Sequence, residues 1–259
     1  MKRAWTRLRS GAARVVNAVL RPFGVEIRIR PGRFRRGTLR GALEQGAGAG
    51  LAPRTVIDVG VATGTSALYD AFPDARLVLV EPVAECGPAL ARIASRFSAV
   101  EVVPAAAGRV PGRATINVHA DPARSSLYHV PGAEPPELER REVTVVTLDQ
   151  IRHERALRGP FLIKIDVEGA ELDVLAGAPG MLAETDYLVV EVSLFDFYTG
   201  GSRVQDVVRF LDQHDLVLYD VLDVQYRPLD QALGQADLVF VRRNGPLRQA
   251  HTFHPPRPA

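Results

Sequence analysis

Long uninterrupted apolar runs are missing from this 259-residue chain. No uncharged stretch approaches the ~18 residues that a membrane-spanning helix needs. Cysteine is nearly absent as well: Cys86 stands alone, so there is no internal disulfide and no CxxC or Cys/His set for structural zinc. A lone thiol fits a reducing compartment, and a cytoplasmic location is expected. Lysine is confined to Lys2 and Lys164 among 32 basic residues, so nearly every cation is a guanidinium. What remains is 46% hydrophobic and 24% charged, a globular composition that excludes wholesale disorder and fibrous repeats. The length allows one large domain or two small ones.

The net charge of +2 conceals an asymmetry. Residues 1–40 carry 12 Lys+Arg against Glu26 alone, a net of +11, which leaves 20 basic and 29 acidic residues for positions 41–259, a net of −9. Trp5, Leu8, Ala12, Val15, Val19 and Phe23 recur at steps of three and four, the period of one helix face, with arginines flanking them. Arg14 interrupts the apolar run, which excludes a secretory signal. The segment reads as an amphipathic helix that docks on the domain, on a second subunit in a homo-oligomer, or on an anionic membrane, which would make the protein peripheral there. No nucleic-acid partner is expected.

Beyond the Gly/Ala-rich stretch 41–53, short β-rich runs alternate with helical segments. Strands are predicted at 55–59, 76–81, 100–105, 161–166, 187–192, 216–222 and 237–242, and helices at 65–72, 83–96, 170–176 and 203–213. This alternation predicts an α/β fold with a mostly parallel, doubly wound sheet, and the short link between the last two strands predicts an antiparallel edge. The runs ATINVHA and EVTVVTL flank a long Pro/Gly-rich loop, 121–141, the kind of segment that serves as a lid or binding loop. The expected organisation is a basic helical extension at 1–50, a catalytic domain at 51–243 and a flexible Pro-rich tail at 244–259.

Two segments carry chemistry. In TVIDVGVATGTSALYDAF (55–72) a buried strand leads into Asp58, Gly60 and Gly64 and then a helix. Glycines at such a turn let a ligand pass over the strand end, and an acid two residues before the first glycine disfavours a pyrophosphate. Glu81 ends the second strand, where a carboxylate accepts from the two hydroxyls of a ribose; it also suits the start of a helix before Pro82. Together they point to an adenosine-type ligand. In FLIKIDVEGAELDVLAGA (161–178), Lys164, Asp166 and Glu168 alternate and share one face, with Glu171 on the following helix. A strand end rich in carboxylates is costly unless it is solvated, paired or working, and Lys164 can pair with one of the acids.

KIDVEGAELDVLAGA resembles the hallmark of the FkbM-family methyltransferases, which use S-adenosyl-L-methionine. DVGVATGTSAL resembles their glycine motif, LVEP their ribose-binding acid, and VTLDQI, LVVEV and ADLVFVR their later strands, over roughly residues 50–243. The resemblance implies a seven-stranded Rossmann-like fold and methylation of a hydroxyl on a sugar, glycan or glycosylated metabolite. It assigns Asp58, Gly60 and Gly64 to the methionine side of the cofactor, Glu81 to the ribose, and the Ala105–Ala107 stretch, centred on Ala106, to the adenine through backbone and apolar contact. Ser125 and Ser126 resemble a serine-rich patch of a substrate lid, or form a plain turn.

A hydroxyl nucleophile must lose its proton to a base or a metal within hydrogen-bond reach. Asp166 is the expected base and Glu191 the alternative, with Glu168 and Glu171 orienting the loop. A divalent cation on Asp166 with Glu168 or Glu191 is a further option, since hard cations favour carboxylates. Other readings are an N-methyltransferase of the same fold, a non-catalytic cofactor-binding module, and a nicotinamide-dependent oxidoreductase, which would be expected to carry GxGxxG.

Overall fold

The computed structural model describes residues 36–131, 138–252 and 254, so the amphipathic helix read at residues 1–24 lies outside the described residues. The strands in chain order are β1 (Thr55–Val59), β2 (Arg76–Val80), β3 (Val100–Val103), β4 (Ala106–Ala107), β5 (Gly112–His119), β6 (Leu138–Val146), β7 (Phe161–Ile165), β8 (Thr185–Ser193), β9 (Leu216–Tyr226) and β10 (Leu233–Arg242). Seven of them form one sheet in the order β3-β2-β1-β7-β8-β10-β9. β10 alone is reversed, antiparallel to both β8 and β9, and the pairings from β3 across to β8 are parallel. This is a Rossmann-like methyltransferase fold. The reversed strand lies inside the edge strand β9 rather than on the edge.

Alternation along the strands sorts the core into two layers. Ile57, Val59, Ile163, Ile165, Leu188 and Val190 face one side of the sheet. The helices α4 (Leu148–Glu154), α5 (Glu171–Ala176), α6 (Pro179–Leu182) and α7 (Val204–Asp212) cover it with Ile151, Val174, Met181 and Leu211. On the other side Val56, Leu79, Leu162 and Val189 pack against α1 (Leu39–Gly48), α2 (Ser66–Ala71) and α3 (Gly87–Arg96) through Leu43, Leu68 and Ile93. Each layer seals one face of the central strands, which is why those strands read as continuous apolar runs.

Three elements depart from the sequence reading. The Gly/Ala-rich stretch, for which the sequence predicts no element, holds most of helix α1, whose Leu39, Ala42 and Leu43 enter the core and whose N-cap Thr38 accepts through its side chain from Gly41 N. Burial on one face outweighs the poor helix propensity of three glycines. VTLDQI is not a strand: only Val146 belongs to β6, while Thr147 accepts from Gln150 N and caps α4. In the tail, Pro246–Arg248 form a 3-10 turn and Leu247 packs against the core.

The insertion between β3 and β7 is a second sheet in the order β4-β6-β5. β5 and β6 pair antiparallel from Gly112↔Val145 to His119↔Leu138, and Ile116, Val118, Val143 and Val145 pack on the core. The chain after β5 returns as a short arm, with Asn117 and Ser126 exchanging backbone hydrogen bonds of 2.8 and 3.1 Å. Among the described residues no helix is long and apolar enough to cross a membrane.

Candidate active site

The carboxyl ends of β1, β2, β7 and β8 collect the acids that the sequence singles out. Register sets Asp58 beside Lys164 on neighbouring strands, and Glu191 opposite Asp237. Lys164, only 6% exposed, extends its ammonium to 2.7 Å from Asp166 Oδ2. Burial opposes its charge, but Asp166, Asp58 and Asp237 outweigh that and hold its pKa above the ordinary lysine range. Asp58 is wholly buried and accepts from the Tyr69 hydroxyl, which also receives Thr65 N at 2.9 Å. Burial raises the Asp58 pKa against the lowering effect of Lys164 and Tyr69.

Glu81 holds the glycine turn in place. Its Oε2 accepts from Ala62 N at 2.9 Å and its Oε1 from Val83 N at 2.8 Å, so one carboxylate ties the β1 turn to the chain leaving β2. Burial raises its pKa, with the two backbone donors pulling the other way. Gly60 has φ +78°, and a Cβ there would lie 1.7 Å from the Asp166 carbonyl oxygen. The sequence requirement for glycine is thus already set by the protein's own backbone, since the β7 strand end fills the space that a side chain would need. At Gly64 a Cβ would meet Ile93 Cδ1 at 2.6 Å.

A slot opens over these strand ends. Gly60, Glu81, Asp166 and Glu168 form its polar side, and Val83, Ala106, Ala107, Ile116 and Leu127 its apolar side. Of the five residues expected to touch the cofactor, Gly60, Glu81 and Ala106 line the slot, and Asp58 and Gly64 do not. A second cleft of about 590 Å³ adjoins it, walled by His119 and Arg124 of the insertion on one side and by Glu191, Phe197, Tyr198 and Gln235 on the other. Among the described residues Glu168 is the one common to both walls.

The turn Asp166–Glu171 is clamped from several directions. Glu168 has φ +54°, a left-handed conformation uncommon for a residue with a side chain. Its carboxylate accepts from the Tyr198 hydroxyl, and its carbonyl from Ser126 Oγ at 2.5 Å. Glu171 accepts from Gly169 N at 2.9 Å. Ser126 is therefore a tie between the insertion arm and this turn, and Ser125 accepts from His119 N at 3.1 Å. Burial raises the carboxyl pKa of Glu168, of Glu171 to about 7, and of Glu191 far above the carboxylate range, with neighbouring acids adding to the last. Gln235 donates to Glu191 at 3.0 Å.

Oxygens of Asp166, Glu168 and Glu191 all lie within 4.8 Å of one another, a spacing that would suit a hard divalent cation. Lys164 already neutralises the first of them. Sequence reasoning missed Tyr69, Tyr198 as a partner of Glu168, and Asp237, whose pKa burial raises to about 6 against the pull of Lys164. Only ADLVFVR, with an acid in a strand pattern, gave a signal for Asp237.

A mostly parallel sheet with one reversed strand carries, at its carboxyl edge, a slot lined by Gly60, Glu81 and Asp166, the arrangement expected of a Rossmann-like methyltransferase fold. A family model described as the methyltransferase FkbM domain matches residues 58–218. The chain belongs to the FkbM methyltransferase family.

No curated protein matches the chain. Among solved structures it is similar to methyltransferase FkbM from Methylobacillus flagellatus KT, at 18% identity and TM-score 0.42, over 71% of this chain and 43% of that one. It thus spans less than half the length of that protein. It is also similar to the N-methyltransferase NodS from Bradyrhizobium japonicum WM9, at 11% identity and TM-score 0.45, over 78% of this chain and 93% of that one. A third similarity is to magnesium protoporphyrin IX methyltransferase from Synechocystis PCC 6803, at 9% identity and TM-score 0.44, over 79% and 77%.

Proposed function

We propose that this protein transfers a methyl group from S-adenosylmethionine to a hydroxyl of a sugar, glycan or glycosylated metabolite. The observation that carries the reading is the neighbourhood of the two cavities: an apolar-sided slot lined by Glu81 and a wider polar cleft share Glu168 in their walls. The slot suits the donor. Val83, Ala106, Ile116 and Leu127 offer apolar surface to an adenine, and Glu81 keeps lone pairs for ribose hydroxyls beyond the two amides it already holds. Asp58 lies outside the slot lining and is tied through Tyr69 to Thr65 of the glycine turn.

When bound, the donor supplies an electrophilic methyl on a cationic sulfonium. Asp166 and Glu168 line the slot, and Lys164 pairs with Asp166. The acceptor cleft has the size of an ordinary ligand site and mixes carboxylates, side-chain amides, His119 and Arg124 with the ring of Phe197, which suits a ring bearing several hydroxyls. Phe195 is not a free platform, because the Arg227 guanidinium covers its ring at 3.8 Å.

Calorimetry with S-adenosylhomocysteine, followed by methyl transfer to a panel of methyl glycosides, amino sugars and phenols, tests the reading. Transfer to glycosides supports it. Transfer to amines alone would replace it with N-methylation, and absence of donor binding would refute it.

A further inference from the structure

The base remains to be assigned, and position selects among the acids. Asp166 lines the donor slot but not the acceptor cleft, and its Oδ2 is taken by Lys164. Glu191 lines the acceptor cleft but not the donor slot, and Glu171, 4% exposed, lines neither. In-line transfer needs the acceptor oxygen at the boundary of the two spaces, and a base within hydrogen-bond reach of it. Among the described residues only Glu168 stands there. We propose that Glu168 is the group that takes the proton from the acceptor, and that Tyr198 is the residue that positions it. This assignment rests on the methyl-transfer reading above.

The local structure is built around that contact. Glu168 adopts its left-handed conformation with Ser126 Oγ on its carbonyl and the Tyr198 hydroxyl on Oε2, which leaves Oε1 on the side of the carboxylate that Tyr198 does not hold. The Tyr198 ring is seated on glycine: a Cβ at Gly169 would lie 2.7 Å from its Cγ, and one at Gly201 2.7 Å from its Cβ. Ser202 completes the seat by donating N–H to the Gly169 carbonyl at 2.8 Å. Two segments 30 residues apart are thus fitted to each other with a phenol aimed at one carboxylate.

In the step itself the acceptor oxygen forms a bond to the methyl carbon while the carbon–sulfur bond breaks. The sulfonium becomes a neutral thioether, and the hydroxyl proton passes to Glu168, so charge and atoms balance. Asp166, Glu171, Glu191, Arg124 and Tyr198 are the ionisable groups that face Glu168. Of these, Tyr198 and Arg124 favour its charged form, while burial and Asp166 disfavour it.

The test uses the full-length protein, saturating S-adenosylmethionine, and whichever panel acceptor is methylated fastest. Glu168→Gln should lower kcat by ~10² to 10⁴ and leave S-adenosylhomocysteine affinity within about threefold. Glu168→Ala should be partly rescued by formate, which a structural role would not allow. Tyr198→Phe keeps the ring on its glycine seat; it should lower kcat about tenfold with little change in KM. Turnover of Glu168→Gln within threefold of the parent would overturn the assignment. So would loss of donor binding, which would place Glu168 in the donor site, or activity abolished by chelation and restored by magnesium, which would hand the proton to a metal-bound group. An unchanged kcat in Tyr198→Phe, or a loss confined to KM, would overturn the role of the tyrosine. If the methylated acceptor proves to be an amine, the sugar reading falls while the Glu168 assignment is still judged by the same variants. If no acceptor is methylated, both fall.

Discussion

The ammonium of Lys164 sits 2.7 Å from Asp166 Oδ2 on one side and, through strand register, beside the buried carboxylate of Asp58 on the other. One lysine thus serves a slot-lining acid and an acid of the inner core. Replacing it with methionine leaves Asp58 without its cation, and removing one member of a buried pair typically costs ~3 to 5 kcal/mol. The loss should be largest near neutral pH and shrink on acidification, because Asp58 and Asp237 both have raised pKa values and accept protons early. Urea titrations of Lys164→Met at pH 7.5 and pH 5 check this; an equal loss at both would refute it.

Glu171 gives a cleaner pH signature. Its carboxyl is held at about 7 when folded, above the ordinary glutamate value, chiefly by burial. A raised acid pKa means that folding favours the protonated form, so stability is fullest below the unfolded pKa and declines as pH rises towards and past 7. Glu171→Gln keeps an oxygen for Gly169 N and removes the titration. It should gain about 2 to 3 kcal/mol over the parent at pH 8 and nothing at pH 4. Denaturant midpoints across that range measure the difference.

Glu81→Ala should act twice. It removes a ribose acceptor and also releases the amides of Ala62 and Val83. S-adenosylhomocysteine affinity should fall about 10- to 100-fold, and the melting temperature should fall with it. Weaker binding with an unchanged melting temperature would mean that the turn holds without its tie.

Gly60→Ala should be far more damaging than Gly87→Ala. At Gly60 the new carbon meets a backbone carbonyl at 1.7 Å and the backbone sits at φ +78°, whereas nothing lies within 4 Å of a carbon at Gly87, the first residue of α3. A loss of roughly 3 kcal/mol or more is expected for the first and less than about 0.5 kcal/mol for the second. Thermal melts of the two variants settle the comparison.

The parallel strands were legible because they are buried on both faces: TVIDV, RLVLV and FLIKI announce themselves by unbroken apolar runs, and their ends fall within a residue of the expected positions. Helix α1 was not, because LRGALEQGAG carries three glycines and its stability comes from packing on the domain. The acids at the strand ends were visible as a pattern, and the expectation that Lys164 pairs with one of them held. Which acid stands between the two cavities was not visible. That depends on Tyr198 and Ser126 reaching Glu168 from 30 and 42 residues away, and no local period encodes such a contact.

The reversal of β10 brings the start of a strand, rather than its end, to the ligand edge of the sheet. A parallel strand brings only its carboxyl end to the ligand edge, so any change there is spliced into a strand-to-helix connection that also shapes the core. β10 arrives from the opposite direction, and its first residues, with Gln235 among them, stand at that edge beside the last residues of β9. The turn that joins them, 227–232, is a hairpin tip held by an Arg227–Asp230 pair at the surface. Hairpin tips accept added residues with little penalty. Residues added or removed at this tip would therefore reshape the bank of the cleft that Gln225 and Gln235 line and leave the parallel strands at the centre of the sheet as they are.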